Sequence, residues 1–279
     1  MSSPDELTEF VPPALGSETG ATAPLPAGLD RPRGHVFDDG TNSWIKVRDA
    51  DTDWELLGGD WFRAREREAV ANCGLSDGEW THAAYDFPEA SVSTAEWTPS
   101  QAGSGALAYS IARSSGIISI TNSAAAGTYI LYNSVQYVVR TPGTNKWFMY
   151  GLLAIPTTPS TNTRSKIEIE AGAANKRIGV GVYGDGTTGT TKYIARVTGT
   201  GGTTDVVSTV SIAATYALLR MWFDGTTMKF QVDNETAQTV AQTNLEAGDY
   251  YWRFGQDQAG AGNADTMYID AIGFITTRH

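Results

Sequence analysis

The sequence predicts an all-β protein, and three observations carry that prediction. Apolar and polar side chains alternate over many short stretches, as they do in strands with one buried face. The chain of 279 residues contains 30 glycines, and its C-terminal two-thirds is rich in threonine, a composition that favours strands and tight turns over helices. With 41% hydrophobic residues, the chain is long enough to bury a substantial core.

Residues 1–33 are predicted to form an extended anchoring arm. Six prolines fall in this segment, with glycine, serine, threonine and alanine between them. Such a composition has little apolar surface to bury, so we expect the arm to gain order from a neighbour rather than from its own packing.

Residues 34–59 predict a small β-meander, in which acidic and glycine-containing turns separate three strand-like pieces. A sheet of this size is not stable alone, so it needs a neighbouring domain or copies of itself, and a homotrimer is favoured. The three pieces are His35–Phe37, Trp44–Val47 and Trp54–Leu57.

Residues 60–78 are predicted to link this meander to the rest of the chain. The stretch DWFRAREREAVANC, residues 60–73, is the best helix candidate, with Asp60 as its N-cap and Gly74 as its stop.

Residues 79–279 predict a β-sandwich, because a dozen strand-like segments follow one another with short polar loops. In KWFMYGLLAI, residues 146–155, both alternating sets are apolar, which predicts a central strand covered on both sides. SKIEIEA, residues 165–171, is expected to be half-exposed. The segments are 106–112, 116–122, 128–139, 146–155, 165–171, 177–183, 192–198, 205–211, 216–223, 228–233, 250–255 and 266–276.

A hairpin is predicted at MWFDGTTMKFQVDN, residues 221–234. A four-residue loop over 224–227 would place Phe223 opposite Met228 and turn the apolar faces of both strands the same way. Trp222 then lies on the polar face, where it is either covered by another part of the chain or exposed for a partner.

The charge is distributed unevenly along the chain. Residues 1–99 hold 7 Lys and Arg against 19 Asp and Glu, whereas residues 100–279 hold 13 against 12. This asymmetry is typical of an acidic anchoring segment joined to a near-neutral domain; the alternative is the solvated acidic surface of a single domain. A net charge of −11 without basic clusters argues against nucleic-acid binding.

Several further classes are not expected. Cys73 is the only cysteine, which excludes an intrachain disulfide and argues against a cysteine-based zinc site within one chain. No apolar run is long enough for a membrane span, and the start MSSPDELTEF does not have the pattern of a signal peptide. We therefore expect a soluble protein that is not exported through a signal peptide and does not insert into a membrane.

Two segments resemble known families. YALLRMWFDGTTMKFQVDNETAQTV together with DTMYIDAIGFI resembles the concanavalin A-like, laminin-G-like jelly roll, over about residues 80–276. LPAGLDRPRGHVFDDGTNSWIKVRDADTDWELLGG, about 35 residues long, is similar to the short meander of many bacteriophage tail-fibre and other virion proteins.

Together these resemblances imply a phage virion structural protein, made in the host cytoplasm without a signal peptide and located in the extracellular particle. It would be a tail fibre, spike or receptor-binding subunit that contacts other virion proteins through residues 1–59, with a host-surface glycan as a candidate ligand. A capsid-decoration or head-fibre protein is the alternative. A carbohydrate-binding or glycoside-cleaving concanavalin-like domain is the alternative of another class.

No catalytic residue and no cofactor are predicted, and the expectation is a binding protein rather than an enzyme. Because many concanavalin-like sandwiches are glycosidases, IEIEAGA, residues 167–173, is the stretch to test. Glu168 and Glu170 point to one face, and their spacing does not exclude a catalytic pair. The better-known sandwich glycosidases carry a third carboxylate two residues further on, where this chain has Gly172. This favours a solvent-facing strand edge.

Trp222, Tyr183 and Trp252 are the candidate ligand-binding residues, because rigid aromatic rings stack on sugars at recognition surfaces; core packing is the alternative. Calcium is a more plausible metal than zinc, since Asp257, Asp265 and Asp270 are hard oxygen donors near the closing strand. Their spacing matches no EF-hand loop, and turn-forming aspartates are the alternative. The three histidines have no metal-ligand spacing.

Overall fold

The computed structural model describes a defined set of residues, and every structural statement below refers to them. Apart from Ser17, Glu18 and Arg33, the expected arm over 1–33 lies outside this set. The described residues are 17–18, 33–38, 43–48, 53–56, 59–75, 80–85, 97–103, 106–110, 117–140, 142–155, 159, 161–171, 176–184, 191–213 and 215–277.

By its internal contacts the chain divides into two compact units, residues 1–67 with 112–115, and residues 68–111 with 116–279. The smaller unit contains a four-stranded sheet in the order β1-β2-β3-β4. The meander expected over 34–59 is present as the antiparallel strands β2, β3 and β4, and β1 adds to it in parallel. The strands are β1 Ser17–Glu18, β2 Arg33–Asp38, β3 Ser43–Arg48 and β4 Asp53–Leu56.

Helix α1 spans Gly59–Cys73, close to the predicted range. Gly74 follows it with φ of 59°, and its N–H donates to the carbonyl of Val70 at 2.9 Å. A glycine in the left-handed region is the usual way to end a helix, because it carries no Cβ that would clash there. Among the described residues no helix is long and apolar enough to cross a membrane.

The larger unit is a sandwich of two antiparallel sheets, which confirms the predicted fold class. The eight-stranded sheet has the order β17-β16-β15-β10-β19-β8-β7, with β5 also paired to β19, and the seven-stranded sheet has the order β14-β13-β12-β11-β18-β9-β6. The strands are β5 Trp80–Tyr85, β6 Trp97–Ala102, β7 Ala106–Ser110, β8 Ile117–Thr121, β9 Tyr129–Arg140, β10 Trp147–Ala154, β11 Thr163–Ala171, β12 Lys176–Tyr183, β13 Lys192–Gly199, β14 Gly202–Ser211, β15 Ala217–Phe223, β16 Met228–Val232, β17 Gln238–Val240, β18 Asp249–Gln258 and β19 Thr266–Thr277.

The hydrophobic core lies between the two sheets. Alternate residues of each central strand enter it, including Trp147 and Met149 from β10 and Ile167 and Ile169 from β11, all fully buried. Strand β10 pairs with β15 on one side and β19 on the other, and both of its faces are buried, as predicted.

The predicted hairpin is observed with the predicted register. Phe223 pairs with Met228 and Met221 with Phe230. Asp224 closes the turn, because its Oδ1 accepts hydrogen bonds from the N–H groups of Thr226 at 2.8 Å and Thr227 at 2.7 Å. An aspartate that bonds to the backbone ahead of it is a common turn former.

The outer face of the eight-stranded sheet is also largely buried. Phe148 and Trp222 pack against each other with ring centroids 6.0 Å apart. The C-terminal half of α1 contacts this sheet, since Glu68 Oε1 lies 3.2 Å from Arg220 Nη1 and Cys73 Sγ donates to the carbonyl of Trp147.

Candidate functional site

Strand β11 places a row of charged side chains on the outer face of the seven-stranded sheet. Successive residues of a strand point to opposite faces, and since Ile167 and Ile169 enter the core, their neighbours face outward. The outward set is Arg164, Lys166, Glu168 and Glu170.

Lys166 is at the centre of this row and is 1% exposed. Its Nζ lies 3.0 Å from Glu168 Oε1 and 2.8 Å from Asp257 Oδ2. A buried ammonium group needs such partners, because burial without them costs several kcal/mol.

Arg253 on β18 extends the charged row toward the next strand. Its Nε donates to Asn133 Oδ1 at 2.7 Å, and its Nη1 lies 3.5 Å from Glu168 Oε1 and also contacts Glu170 Oε2. The same Glu170 oxygen lies 3.4 Å from Arg177 Nε. The two carboxylates of β11 are therefore held by one shared guanidinium group.

Arg164 completes the cluster at the other end, with its Nη1 3.3 Å from Asp257 Oδ1. We call the whole cluster the Lys166 network. It consists of four cations and three carboxylates in alternating contact, namely Arg164, Lys166, Arg177, Arg253, Glu168, Glu170 and Asp257.

Tyr183 on β12 lies beside the network. A Cβ built at Gly179 would stand 2.5 Å from Tyr183 Oη, so the ring lies over this glycine, next to Glu168 in the adjacent strand. Burial raises the pKa of Tyr183 well above its usual value, and the charge of Glu168 adds to that shift. The hydroxyl has no hydrogen-bond partner among the described residues.

An arginine covers the other side of the Tyr183 ring. Arg196 Cζ lies 4.5 Å from the ring centroid, and the guanidinium group binds both carboxylate oxygens of Asp205, at 2.7 and 2.6 Å. This bidentate pair fixes the arginine over the ring, which is a favourable position for a cation.

Exposure differs between the two arginines at the ends of the network and the two glutamates of β11. The side chains of Arg164 and Arg177 are each 30% exposed, whereas those of Glu168 and Glu170 are 1% and 11% exposed. Hydrogen-bond donors therefore lie outermost, above a close pair of carboxylates. Such a surface can bind polar groups, and it holds the two carboxyl groups that glycosidic cleavage requires.

The prediction that Glu168 and Glu170 lie at a solvent-facing strand edge is wrong, and so is the half-exposed pattern expected over 165–171. Strand β11 is central in its sheet, between β12 and β18, so side chains from both neighbours cover its outer face. The interpretation as an edge failed because the position of a strand in the sheet depends on pairings that local sequence does not show.

The structure places the three predicted ligand-binding aromatics in buried positions. Trp252 is 1% exposed in the core between the sheets, 5.3 Å from the ring of Trp97. Trp222 is 2% exposed and packs on Phe148. Of the three, Tyr183 alone lies beside the Lys166 network, and it is 5% exposed. Stacking of Trp222 or Trp252 on a sugar is thus not supported by their positions, because neither ring has a free face.

The three calcium candidates do not lie together in one acidic cluster. Asp257 belongs to the Lys166 network, Asp265 accepts a hydrogen bond from Thr163 Oγ1, and Asp270 is half-buried on β19. Within the described part of the chain, no three His, Cys, Asp or Glu residues form a group that could hold a metal ion.

Sequence reasoning missed Lys166 and Arg253 as site residues. The signal for Lys166 was present, because it alternates with two isoleucines on the same strand as Glu168 and Glu170. No such signal existed for Arg253, since it joins the site only through the pairing of β11 with β18.

Comparison with protein-family models and with curated proteins finds no match. Among solved structures, the chain is similar to an endo-1,3-beta-glucanase from Streptomyces sioyaensis, at 14% identity and a TM-score of 0.52 over 74% of this chain and 99% of that one. A lichenase, or beta-1,3-1,4-glucanase, from a mouse hindgut metagenome matches at 10% identity and a TM-score of 0.51, over 70% and 98%. A protein of unknown function from Shewanella oneidensis MR-1 matches at 15% identity and a TM-score of 0.53, over 76% and 93%.

At these identities the similarity establishes the fold, and it confirms the jelly-roll resemblance at that level. It gives no support to the virion resemblance. The expectation that the chain is not an enzyme is contradicted, because two of the three structures are glucanases. The chain has the concanavalin-like jelly-roll fold of these proteins.

Proposed function

We propose that the chain binds a polysaccharide across the outer face of the seven-stranded sheet and cleaves it with the carboxylates of Glu168 and Glu170. The observation that carries this proposal is the shared contact of both carboxylates with Arg253 Nη1. The sandwich fold shared with two glucanases supports the choice of ligand class.

Glycosidic cleavage needs two carboxyl groups at a defined separation. Retaining enzymes hold them about 5 to 5.5 Å apart, and inverting enzymes hold them further apart. Because one nitrogen of Arg253 contacts an oxygen of each carboxylate, Glu168 and Glu170 fit the shorter, retaining class. Glu170 is the more exposed of the two and is the one that substrate would reach first.

The test is hydrolysis of a panel of polysaccharides by the intact chain and by Glu168→Gln and Glu170→Gln. Each glutamine keeps the size of the side chain but removes its charge. We expect release of reducing ends to fall by about 100-fold or more in both variants. Glu246→Gln, the same change at a carboxylate outside the Lys166 network, is the matched control and should keep activity.

Circular dichroism and thermal unfolding would verify that each variant is folded. Equal activity in wild type and both glutamine variants would contradict the assignment of the carboxylates. No hydrolysis of any polysaccharide by the folded wild-type chain would contradict the cleavage reaction itself.

A second candidate function is that of a virion structural protein, either a tail-fibre, spike or receptor-binding subunit or a capsid-decoration protein. The acidic residues 1–99 and the small four-stranded sheet favour it, because both suit a segment that docks on a partner. Residues 1–59 would contact other virion proteins, and the chain would be a homotrimer. Light scattering on the purified chain tests this candidate: a trimer is expected, and a monomer at all concentrations would count against it.

A further inference from the structure

The geometry points to an anionic polysaccharide as the ligand of the Lys166 network, one that carries carboxylate or sulfate groups along its length. This inference rests on the proposed function, since it names the class of polysaccharide that the same face would take. It is carried by the charge of the network, by which groups are outermost, and by the distance over which the cations are spread.

The Lys166 network has one more cation than carboxylate, and its most exposed side chains are those of Arg164 and Arg177. Arg164 and Arg177 are each 30% exposed, while Glu168 beneath them is 1% exposed and contacts Lys166 and Arg253. A ligand that approaches the network therefore meets the guanidinium groups of Arg164 and Arg177 before it meets the carboxylates of Glu168 and Glu170. Arginine is well suited to carboxylate and sulfate groups, because its planar fork offers parallel N–H donors.

By its net charge the rest of the protein does not attract anions. Binding of an anion would therefore depend on the arginines of this face. The whole chain has a net charge of −11, and residues 100–279 are close to neutral. Charges act over about 8 to 10 Å at physiological salt, so the arginines of the face can bind an anion although the chain as a whole is acidic. A non-specific polyanion binder would instead carry a strongly basic surface.

The spread of the cations favours a polymer over a small anion. Arg164 lies in the first outward row of β11, and Arg177 pairs in register with Glu170, six residues further along that strand. At about 3.4 Å per residue, the two rows are about 20 Å apart. A single carboxylate or sulfate cannot contact both arginines, whereas a chain of charged sugars can, and multiple contacts on one chain strengthen its binding.

Tyr183 supplies an additional donor on this face. The side chain is buried, with 5% of its surface exposed, and its hydroxyl has no hydrogen-bond partner among the described residues. A buried hydroxyl that lacks a partner costs free energy, so an acceptor oxygen brought by a ligand would relieve that cost. The position of the ring between Gly179 and Arg196 places this donor beside the carboxylates of β11.

The test is isothermal titration calorimetry on the intact chain at physiological salt, with polymers matched in everything but charge. Polygalacturonate and its fully methyl-esterified form differ in carboxylate charge, and dextran sulfate and dextran differ in sulfate charge. At least one charged polymer should bind about tenfold or more tightly than its uncharged counterpart. The pair that shows the difference identifies which anionic group is recognised.

Variants of the face and a control on the other sheet complete the experiment. Arg164→Gln and Arg177→Gln should each weaken binding of the charged polymer by about tenfold. Glu170→Gln should strengthen it, because Arg177 and Arg253 lose an anionic competitor. Lys229→Gln, the same loss of charge on the eight-stranded sheet, should change nothing.

The outcomes separate this inference from the proposed function. Equal or tighter binding of the uncharged polymers, or unchanged binding in folded Arg164→Gln and Arg177→Gln, would overturn the anionic ligand. If uncharged polysaccharides are bound and cleaved, and Glu168→Gln abolishes the cleavage, the proposed function stands and the anionic ligand alone fails. If no polymer of either kind binds, the anionic ligand is overturned, and the hydrolysis panel alone decides the proposed function.

Discussion

Lys166 Nζ lies 2.8 Å from Asp257 Oδ2 across the β11–β18 pair, although the residue directly opposite Lys166 on β18 is Gly255. Gly181 is the opposite residue on the other neighbouring strand. With no side chain on either side, the lysine stem has space to lie along the sheet and reach a carboxylate in the next row. The two glycines thereby allow a buried cation at the centre of the face.

Replacing Lys166 with methionine should destabilise the sandwich by about 3 to 5 kcal/mol, because the change leaves Glu168 buried without its ammonium partner. Urea denaturation at neutral pH would measure the free energy of unfolding. Lys229→Met, on the eight-stranded sheet and outside the network, is the matched control and should change stability by less than about 1 kcal/mol.

The double variant Lys166→Met with Glu168→Leu separates loss of the ion pair from loss of packing. It should recover part of the stability lost in the single variant, because replacing a buried ion pair with apolar side chains is often neutral. A loss below about 1 kcal/mol in Lys166→Met, or a double variant no better than the single one, would contradict this role of the pair.

The alternation of apolar residues was enough to identify the fold class and most strands of the sandwich. Alternation identifies a strand that packs on one face, as in β16. A short run that is apolar at nearly every position identifies a strand covered on both faces, as in β10. These patterns missed β6, because WTPSQA contains Pro99 and has no apolar alternation. Proline is tolerated there since β6 is at the end of its sheet. Strand β5 and the three-residue β17 were missed for the same lack of pattern.

The candidate site was predictable only in part. The sequence indicates that Glu168 and Glu170 share a face, because that follows from the period of a strand alone. Their burial and their partners could not be predicted, since Arg253, which contacts both, and Asp257, which contacts their neighbour Lys166, lie on a strand far along the chain. The register of β11 against β18 sets those contacts, and no local pattern encodes it.

Gly151→Ala should destabilise the core by about 1 to 3 kcal/mol, because Ile167 from the facing sheet fills the position that a Cβ at Gly151 would occupy. Ile167→Val removes the Cδ1 methyl group responsible for the overlap. In the double variant the two losses should therefore be less than additive. Urea denaturation of the two single variants and the double variant would measure this, and additive losses would show that the two residues do not compete for space.

Glu246 predicts a dependence of stability on pH in the acid range. A hydrogen bond from the backbone N–H of Thr200, with further contributions from the Thr200 hydroxyl and Lys176, lowers the pKa of Glu246 from 4.5 to about 2. A carboxyl group with a lowered pKa stabilises the fold above its unfolded pKa and loses that contribution as pH falls. The difference in stability between wild type and Glu246→Gln should therefore shrink as pH falls from 4.5 to about 2. A difference that does not vary with pH would contradict this assignment.

Because three tyrosines are buried, we expect the stability of the fold to decrease at high pH. Burial raises the pKa of Tyr193 and of Tyr250 from 10 to about 12, and it raises that of Tyr183 well above its usual value. In the unfolded chain these phenols ionise near pH 10, so the stability that they contribute is present below pH 10 and is lost as pH rises toward 12. A titration followed by phenolate absorbance should show these groups ionising after the exposed tyrosines, and Tyr183→Phe should remove one late step. If Tyr183→Phe instead removed a step near pH 10, the Tyr183 hydroxyl would be accessible to solvent, and its burial beside Glu168 would have to be revised.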